Sequence, residues 1–167
     1  VSDLITKENL KHALIKITEE LKKFNIRQPK IAVLGLNPHS GENGEIGKEE
    51  ISTIIPVISE LNRKPNFEID GPYPADGYFG SKNFEDYDAT LAMYHDQALI
   101  PLKLLGFFDS VNITLGLPII RTSPGHGSAI ELAKKGKVSE KSFLEAVNLA
   151  NALITRKLND KIKYQNE

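Results

Sequence analysis

Residues 31–36 read IAVLGL, six positions without a polar side chain, set between Pro29-Lys30 and the loop NPHSGENGEIG at 37–47. A strand with one face in water alternates apolar and polar residues. One that is apolar throughout is covered on both faces, as a central strand of a parallel α/β sheet is. The flanking segments agree. Upstream, Leu10, Leu14, Ile17, Leu21 and Phe24 recur at helical spacing over 7–24, with Thr6 as N-cap and Glu8 in the first turn, where the helix dipole favours an acid. Pro29 ends that helix. Downstream, 48–62 carries Ile51, Ile54, Ile55, Ile58 and Leu61 as a second apolar stripe, and Pro56 should kink it by removing the bond to the Ser52 carbonyl. A proline-rich connection, DGPYPADGYFG (70–80), then leads to an expected strand ATLAMY (89–94), a short helix near 96–105 and a strand VNITLGL (111–117). Helices near 128–135 and over 139–162 follow, the last with Ser139 as its cap and Phe143, Val147, Ala150, Ile154 and Leu158 on one face. These stripes read as core. The alternation of strands and helices predicts an α/β architecture, without internal repeats.

Composition narrows the function classes. The chain has 167 residues, 40% apolar and 26% charged, the balance of a soluble globular domain that buries about two-thirds of its unfolded surface. Its 21 basic and 22 acidic side chains are intermixed and sum to −1; without a basic stripe, neither nucleic acid nor an anionic membrane is an expected partner. There is no cysteine, which rules out disulfides and thiolate metal sites and leaves His, Asp and Glu as metal ligands. A cytoplasmic location is expected. No apolar run approaches the ~20 residues of a membrane span, and the N-terminal stretch has no signal-peptide core. The chain opens on Val1 rather than methionine, so it is expected to be a processed or excised part of something longer.

The polar residues that carry chemistry cluster at strand ends. In open α/β sheets ligands bind at the carboxyl ends of strands, where loops form a crevice and helices present their N-termini. His39 follows IAVLGL within GLNPHSGENG, and His95 follows ATLAMY within MYHDQ. Two such histidines with a nearby Asp suit a divalent metal, Zn²⁺, Mn²⁺ or Mg²⁺. They form no spacing motif, so spacing alone leaves open loop histidines bonded to backbone. Glycines 41, 44 and 47 precede a helix and form either an anion-receiving loop or a simple turn. No G-x-G-x-x-G follows a strand, so the Rossmann fingerprint is absent. His12, beside Lys11 on the exposed face of the first helix, reads as solvated.

Four stretches in order, GLNPHSGENGEIGKEEISTIIPVISEL (35–61), GPYPAD (71–76), LAMYHDQALIPLK (91–103) and VNITLGLPIIRTSPGHGSAIELA (111–133), closely resemble the C-terminal half of the 4-hydroxythreonine-4-phosphate dehydrogenase family of vitamin B6 biosynthesis. The resemblance implies an isocitrate/isopropylmalate dehydrogenase-like α/β/α fold with two lobes, of which this chain is a fragment without the N-terminal half. By it, roughly 1–110 is the dimerisation and metal segment and roughly 111–167 the nucleotide side. It implies oxidation of 4-phosphooxy-L-threonine with NAD or NADP and decarboxylation to 3-amino-2-oxopropyl phosphate, with Zn, Mg, Mn or Co as the metal. His39 and His95 would be two of three metal-binding histidines, one given across a homodimer interface that shares the active site, and the third would lie upstream of Val1. Asp76 would lie beside the metal; Asp76, Asp96 and Lys103 would be the catalytic candidates. Lys103, Asn112 and Arg121 would contact the phosphorylated amino-acid substrate, Arg as a bidentate fork and Lys as a point charge. In SPGHGSAIELA, which resembles the adenosine-binding loop of the same dehydrogenases, His126 would contact adenine, with Gly127 and Ser128 completing the loop; without the resemblance, Ser128 reads equally as a helix cap. The next enzyme of the vitamin B6 pathway is a further implied partner. Two other readings stay open: a paralogue acting on phosphothreonate or phosphoerythronate, and a non-catalytic dimerisation unit.

Overall fold

The computed structural model describes residues 2–125 and 139–165, with side chains in the last stretch described to Arg156. The chain divides into two compact units, Val1–Leu99 and Ile100–Glu167.

The first unit holds α1 (Lys7–Lys23), β1 (Lys30–Leu34), a 3-10 segment Pro38–Gly44, a π-helical turn Glu50–Ile54 that runs into α2 (Ile55–Leu61), β2 (Glu68–Tyr73), α3 (Ala75–Gly80) and β3 (Ala89–Leu91). It closes with the start of α4 (His95–Gly106), which crosses the boundary. The sheet order is β2-β1-β3, with both pairings parallel, so the wholly apolar strand is central, as its sequence predicts. Its alternate residues serve two cores. Ile31 and Val33 pack with Leu10 and Leu14 of α1, Val57, Ile58 and Leu61 of α2, and Ile69 of β2. Ala32 and Leu34 pack on the opposite face against Tyr78, Tyr73, Phe79 and Tyr87. That is an α/β/α sandwich in three layers.

The α3 face is aromatic. The Tyr73 and Tyr78 rings stack with centroids 5.5 Å apart, and Tyr87 lies 6.0 Å from each. Tyr87 donates its hydroxyl to Asp70 at 3.1 Å and shares a 2.7 Å hydrogen bond with the Tyr73 hydroxyl, while Tyr78 bonds the Thr90 hydroxyl. Burial and these bonds to Tyr73 and Asp70 push the Tyr87 phenol well above its usual range.

At the start of α1, Thr6 Oγ1 accepts the Asn9 N–H as its cap. Two other expectations need correction. The stretch expected to be a mere connection contains β2 and α3: Pro72 sits in an edge strand, where a missing donor is tolerated, and the register with β1 shifts between Ala32 and Leu34. Gly71 faces the Val33 carbonyl at that irregularity, too close for any Cβ. The single kinked helix over 48–62 is instead a π turn followed by α2. The helix is continuous through the junction, with the Ile55 N–H bonded to the Glu50 carbonyl in the wider i→i−5 pattern just before Pro56, so the missing Pro56 N–H is met by a π turn and not by a helix end, and Ile51 and Ile55 are exposed rather than core.

In the second unit β4 (Val111–Thr114) and β5 (Arg121–Pro124) form an antiparallel pair, against which α5 (Lys141–Gln165) packs. The strand expected over 111–117 stops at Thr114, because the chain must turn back to make β5. Helix α5 presents small residues to the hairpin. Ser142 Oγ accepts the Gly125 N–H and donates to the Ser110 carbonyl, and Thr122 Oγ1 donates to the Ala146 carbonyl at 2.9 Å. The stripe expected to be core is therefore not: Phe143, Val147 and Ile154 are about half exposed or more, while Ser142 and Ala146 are buried. Leu158, the helix expected near 128–135 and the residues His126, Gly127 and Ser128 lie outside the described side chains. Among the described residues no helix is long and apolar enough to cross a membrane.

Candidate functional site

Beyond β1 the chain takes an unusual path. His39, Ser40, Gly41, Glu42 and Asn43 all have positive φ, at 52°, 50°, 80°, 42° and 56°. Left-handed conformation costs roughly 1–2 kcal/mol for each residue with a Cβ, so a run of five needs something to hold it. Glu50, only 1% exposed, does so from inside. Its Oε1 accepts the Asn37 N–H at 2.7 Å and its Oε2 accepts the Asn37 amide at 2.9 Å, while the same amide donates to Glu49 at 2.8 Å. The Asn37 bond holds the Glu49 carboxyl below its ordinary range. Gly41 is required both by its φ and by space, since a Cβ there would lie 2.6 Å from Glu50 Oε2. Ser40 Oγ donates to the Pro72 carbonyl at 3.2 Å and ties the loop to β2. The outcome is a rigid turn that leaves His39 exposed at the carboxyl end of β1.

The second histidine also sits past a strand end. Between Leu91 of β3 and His95, the first residue of α4, lie three residues. His95 Nδ1 and Asp96 Oδ1 are 2.7 Å apart, with 75% and 77% of the two side chains exposed. With its proton on Nδ1, His95 donates to the Asp96 carboxylate and leaves Nε2 as a lone-pair donor, the arrangement that metal-ligating histidines use. Gln97, third in the helix, accepts the Met93 and Tyr94 N–H groups on Oε1 at 2.9 and 3.1 Å and donates from Nε2 to the Gly35 carbonyl at 2.9 Å. Asp76 is exposed in the first turn of α3. Among the described residues no group of three or more His, Cys, Asp or Glu side chains is placed to hold an ion. The donor chemistry of His39 and His95 fits a divalent metal, and the ligand number present does not complete a shell.

The anion candidates belong to the second unit. Asn112 and Thr114 share a face of β4, and Arg121 pairs directly opposite Thr114, so Arg121 and Asn112 lie on the same face of the hairpin, diagonally related. Arg121 Nη1 donates to Thr114 Oγ1 at 2.8 Å, which leaves the rest of its fork for an anion. Lys103 is exposed on α4.

Asn37 and Glu50 escaped the sequence reading, and Gln97 stood out there only as one polar residue of MYHDQ without a role, although Glu50 and Gln97 each carry a signal. Glu50 is an acid in helical register with the apolar Ile54, Ile58 and Leu61, and Gln97 is the third residue of α4, where a glutamine reaches back to cap.

The family model described as "Pyridoxal phosphate biosynthetic protein PdxA" matches residues 1–150. The chain belongs to the PdxA family. It is 52% identical over 157 residues to the 4-hydroxythreonine-4-phosphate dehydrogenase of Shewanella frigidimarina, covering 93% of this chain and 48% of that one. With the enzyme of the same name from Prosthecochloris aestuarii it shares 52% identity over 127 residues, 76% of this chain and 37% of the relative. The crystal structure of 4-hydroxythreonine-4-phosphate dehydrogenase from Klebsiella pneumoniae superposes with a TM-score of 0.76 at 42% identity, over 90% of this chain and 45% of that one. The chain thus spans less than half the length of these PdxA relatives, and the α/β class expected from sequence is the PdxA fold.

Proposed function

We propose that this chain is the C-terminal half of an NAD- or NADP-dependent dehydrogenase that oxidises 4-phosphooxy-L-threonine and releases CO₂ to give 3-amino-2-oxopropyl phosphate, a step of vitamin B6 biosynthesis. The observation that carries the reading is the placement of His39 and His95 at the carboxyl ends of neighbouring parallel strands, on a scaffold 52% identical to enzymes of that name.

The reaction removes a hydride from the carbinol carbon and a proton from its hydroxyl; the β-keto acid then loses CO₂ and takes up a proton. When bound, a divalent ion on His39 and His95 would polarise the reacting oxygen, and the nicotinamide would accept the hydride. The chain's own residues bind and orient. Asp96 keeps the proton on His95 Nδ1 and so presents Nε2. Asp76 and Asp96 are the proposed proton carriers. Arg121 would grip a phosphate or carboxylate with two parallel N–H donors, Asn112 would bond a neighbouring oxygen and Lys103 would add charge. His126, Gly127 and Ser128 would take the adenosine. The exposed apolar faces of α4 and α5, Leu104 at 82% exposure among them, support a homodimer in which a second copy covers them.

The test follows NAD⁺ reduction by the full-length protein and by this chain, each with 4-phosphooxy-L-threonine and with 4-phosphothreonate. Turnover of the first substrate by the full-length protein alone is expected. Turnover of 4-phosphothreonate only would assign the paralogous reaction, and turnover of neither would remove the dehydrogenase reading.

A further inference from the structure

Gln97 makes three hydrogen bonds with one side chain, and they divide between two loops. Its Oε1 takes the Met93 and Tyr94 N–H groups, the two residues immediately before His95. Its Nε2 gives a hydrogen bond to the carbonyl of Gly35, at the carboxyl end of β1, four residues before His39. The first pair is a helix cap, the reach-back of a glutamine at the third helical position. The third bond serves no helix. It joins segments 62 residues apart in sequence, and beyond Gly35 the path to His39 is stiff, because Glu50 and Asn37 lock it into its left-handed turn. A displacement at Gly35 is therefore passed on to His39 rather than absorbed.

We infer that Gln97 is a positioning residue that sets the separation of His39 and His95, so that the two imidazoles meet one divalent cation without reorganisation. The inference rests on the metal reading proposed above. Its chemical sense is preorganisation: two ligands held apart at the right span bind as a unit, and loss of an outer contact of this kind typically lowers metal affinity ~10–100-fold.

Substitution can separate the cap from the crossing bond. Gln97→Glu keeps the Oε1 acceptor that serves both Met93 and Tyr94, and an acid in a first helical turn is favourable, but it turns an oxygen instead of a donor toward the Gly35 carbonyl. Gln97→Met keeps the length and removes all three bonds, and it brings no carboxylate that could ligate zinc itself. The experiment titrates Zn²⁺ calorimetrically into the full-length protein, into both Gln97 variants of it, and into His39→Ala and His95→Ala, and it follows amide hydrogen exchange of the metal-free proteins. The inference expects zinc affinity to fall at least tenfold in both Gln97 variants. It also expects Gln97→Glu to speed exchange at residues 36–40 while Met93 and Tyr94 stay protected. Zinc affinity lowered by Gln97→Met but not by Gln97→Glu assigns the effect to the cap and overturns the inference. Zinc affinity unchanged in both variants, with both histidine variants weakened, overturns it too and leaves the metal reading standing. Zinc binding that is absent, or indifferent to both histidine substitutions, sinks the metal reading, and the inference falls with it.

Discussion

A buried carboxylate answered by neutral donors is the residue on which the His39 turn depends. Glu50 receives one backbone and one side-chain N–H from Asn37, and bonds from such donors to a charged acceptor contribute roughly 1.5–3 kcal/mol. Gln in its place would set an NH₂ against one of those donors. Glu50→Gln is expected to destabilise the chain by about 1–3 kcal/mol, read as a lower urea midpoint with an unchanged m-value. An unchanged midpoint would show that the turn stands without it. Sequence reading reached Thr6 because a cap is local, its hydroxyl serving a residue three positions on. It passed over Glu50 and Gln97 because their partners lie 13 and 62 positions away.

The elements divide in the same manner. Segment IAVLGL announced a central strand because burial on both faces erases alternation, and the helix over 7–24 announced itself by its stripe. β2 stayed hidden because Gly71-Pro72 interrupts it, and an edge strand tolerates the interruption. The stripe on α5 was legible as apolar but not as uncovered; periodicity reports that a face avoids water, not which surface covers it. The left-handed turn had no sequence signature beyond its glycines. It does have a thermodynamic one. Glu42 lies within the turn at φ 42° with its side chain exposed. Glu42→Gly would relieve ~1–2 kcal/mol of backbone strain against ~0.4–1 kcal/mol of added freedom in the unfolded chain. Net stabilisation of about 0.5–1 kcal/mol is expected, and a Tm shift of about 1–4 °C would register it. A lower Tm would mean that the Glu42 side chain contributes more than its geometry costs.

At the scale of the whole molecule, the uncovered apolar faces predict association. Sedimentation of the 167-residue chain should find a concentration-dependent dimer, and Phe143→Glu, on the exposed face of α5, should shift it toward monomer. A chain that stays monomeric at every concentration would leave those faces to the rest of the full-length protein. The proposed metal site was half legible here: His39 and His95 are its two proposed ligands, and among the described residues no group of three or more His, Cys, Asp or Glu side chains forms around them.

The tyrosine cluster beside β1 has an optical consequence. The chain has no tryptophan and five tyrosines, and Tyr73, Tyr78 and Tyr87 crowd one face of the sheet, so its near-ultraviolet spectrum is dominated by a single patch. Any loosening of α3 from the sheet should be visible by dichroism without a label. The same patch responds to alkali. An unfolded phenol ionises near pH ~10, whereas the folded chain keeps Tyr87 protonated beyond that point. The contribution of Tyr87 to stability is therefore complete below that pH and is lost as pH rises above it. A spectrophotometric titration should find part of the phenolate absorbance appearing late, together with loss of the dichroic signal. If all five phenols ionise together near pH 10 with the dichroism intact, the cluster is not the closed patch described.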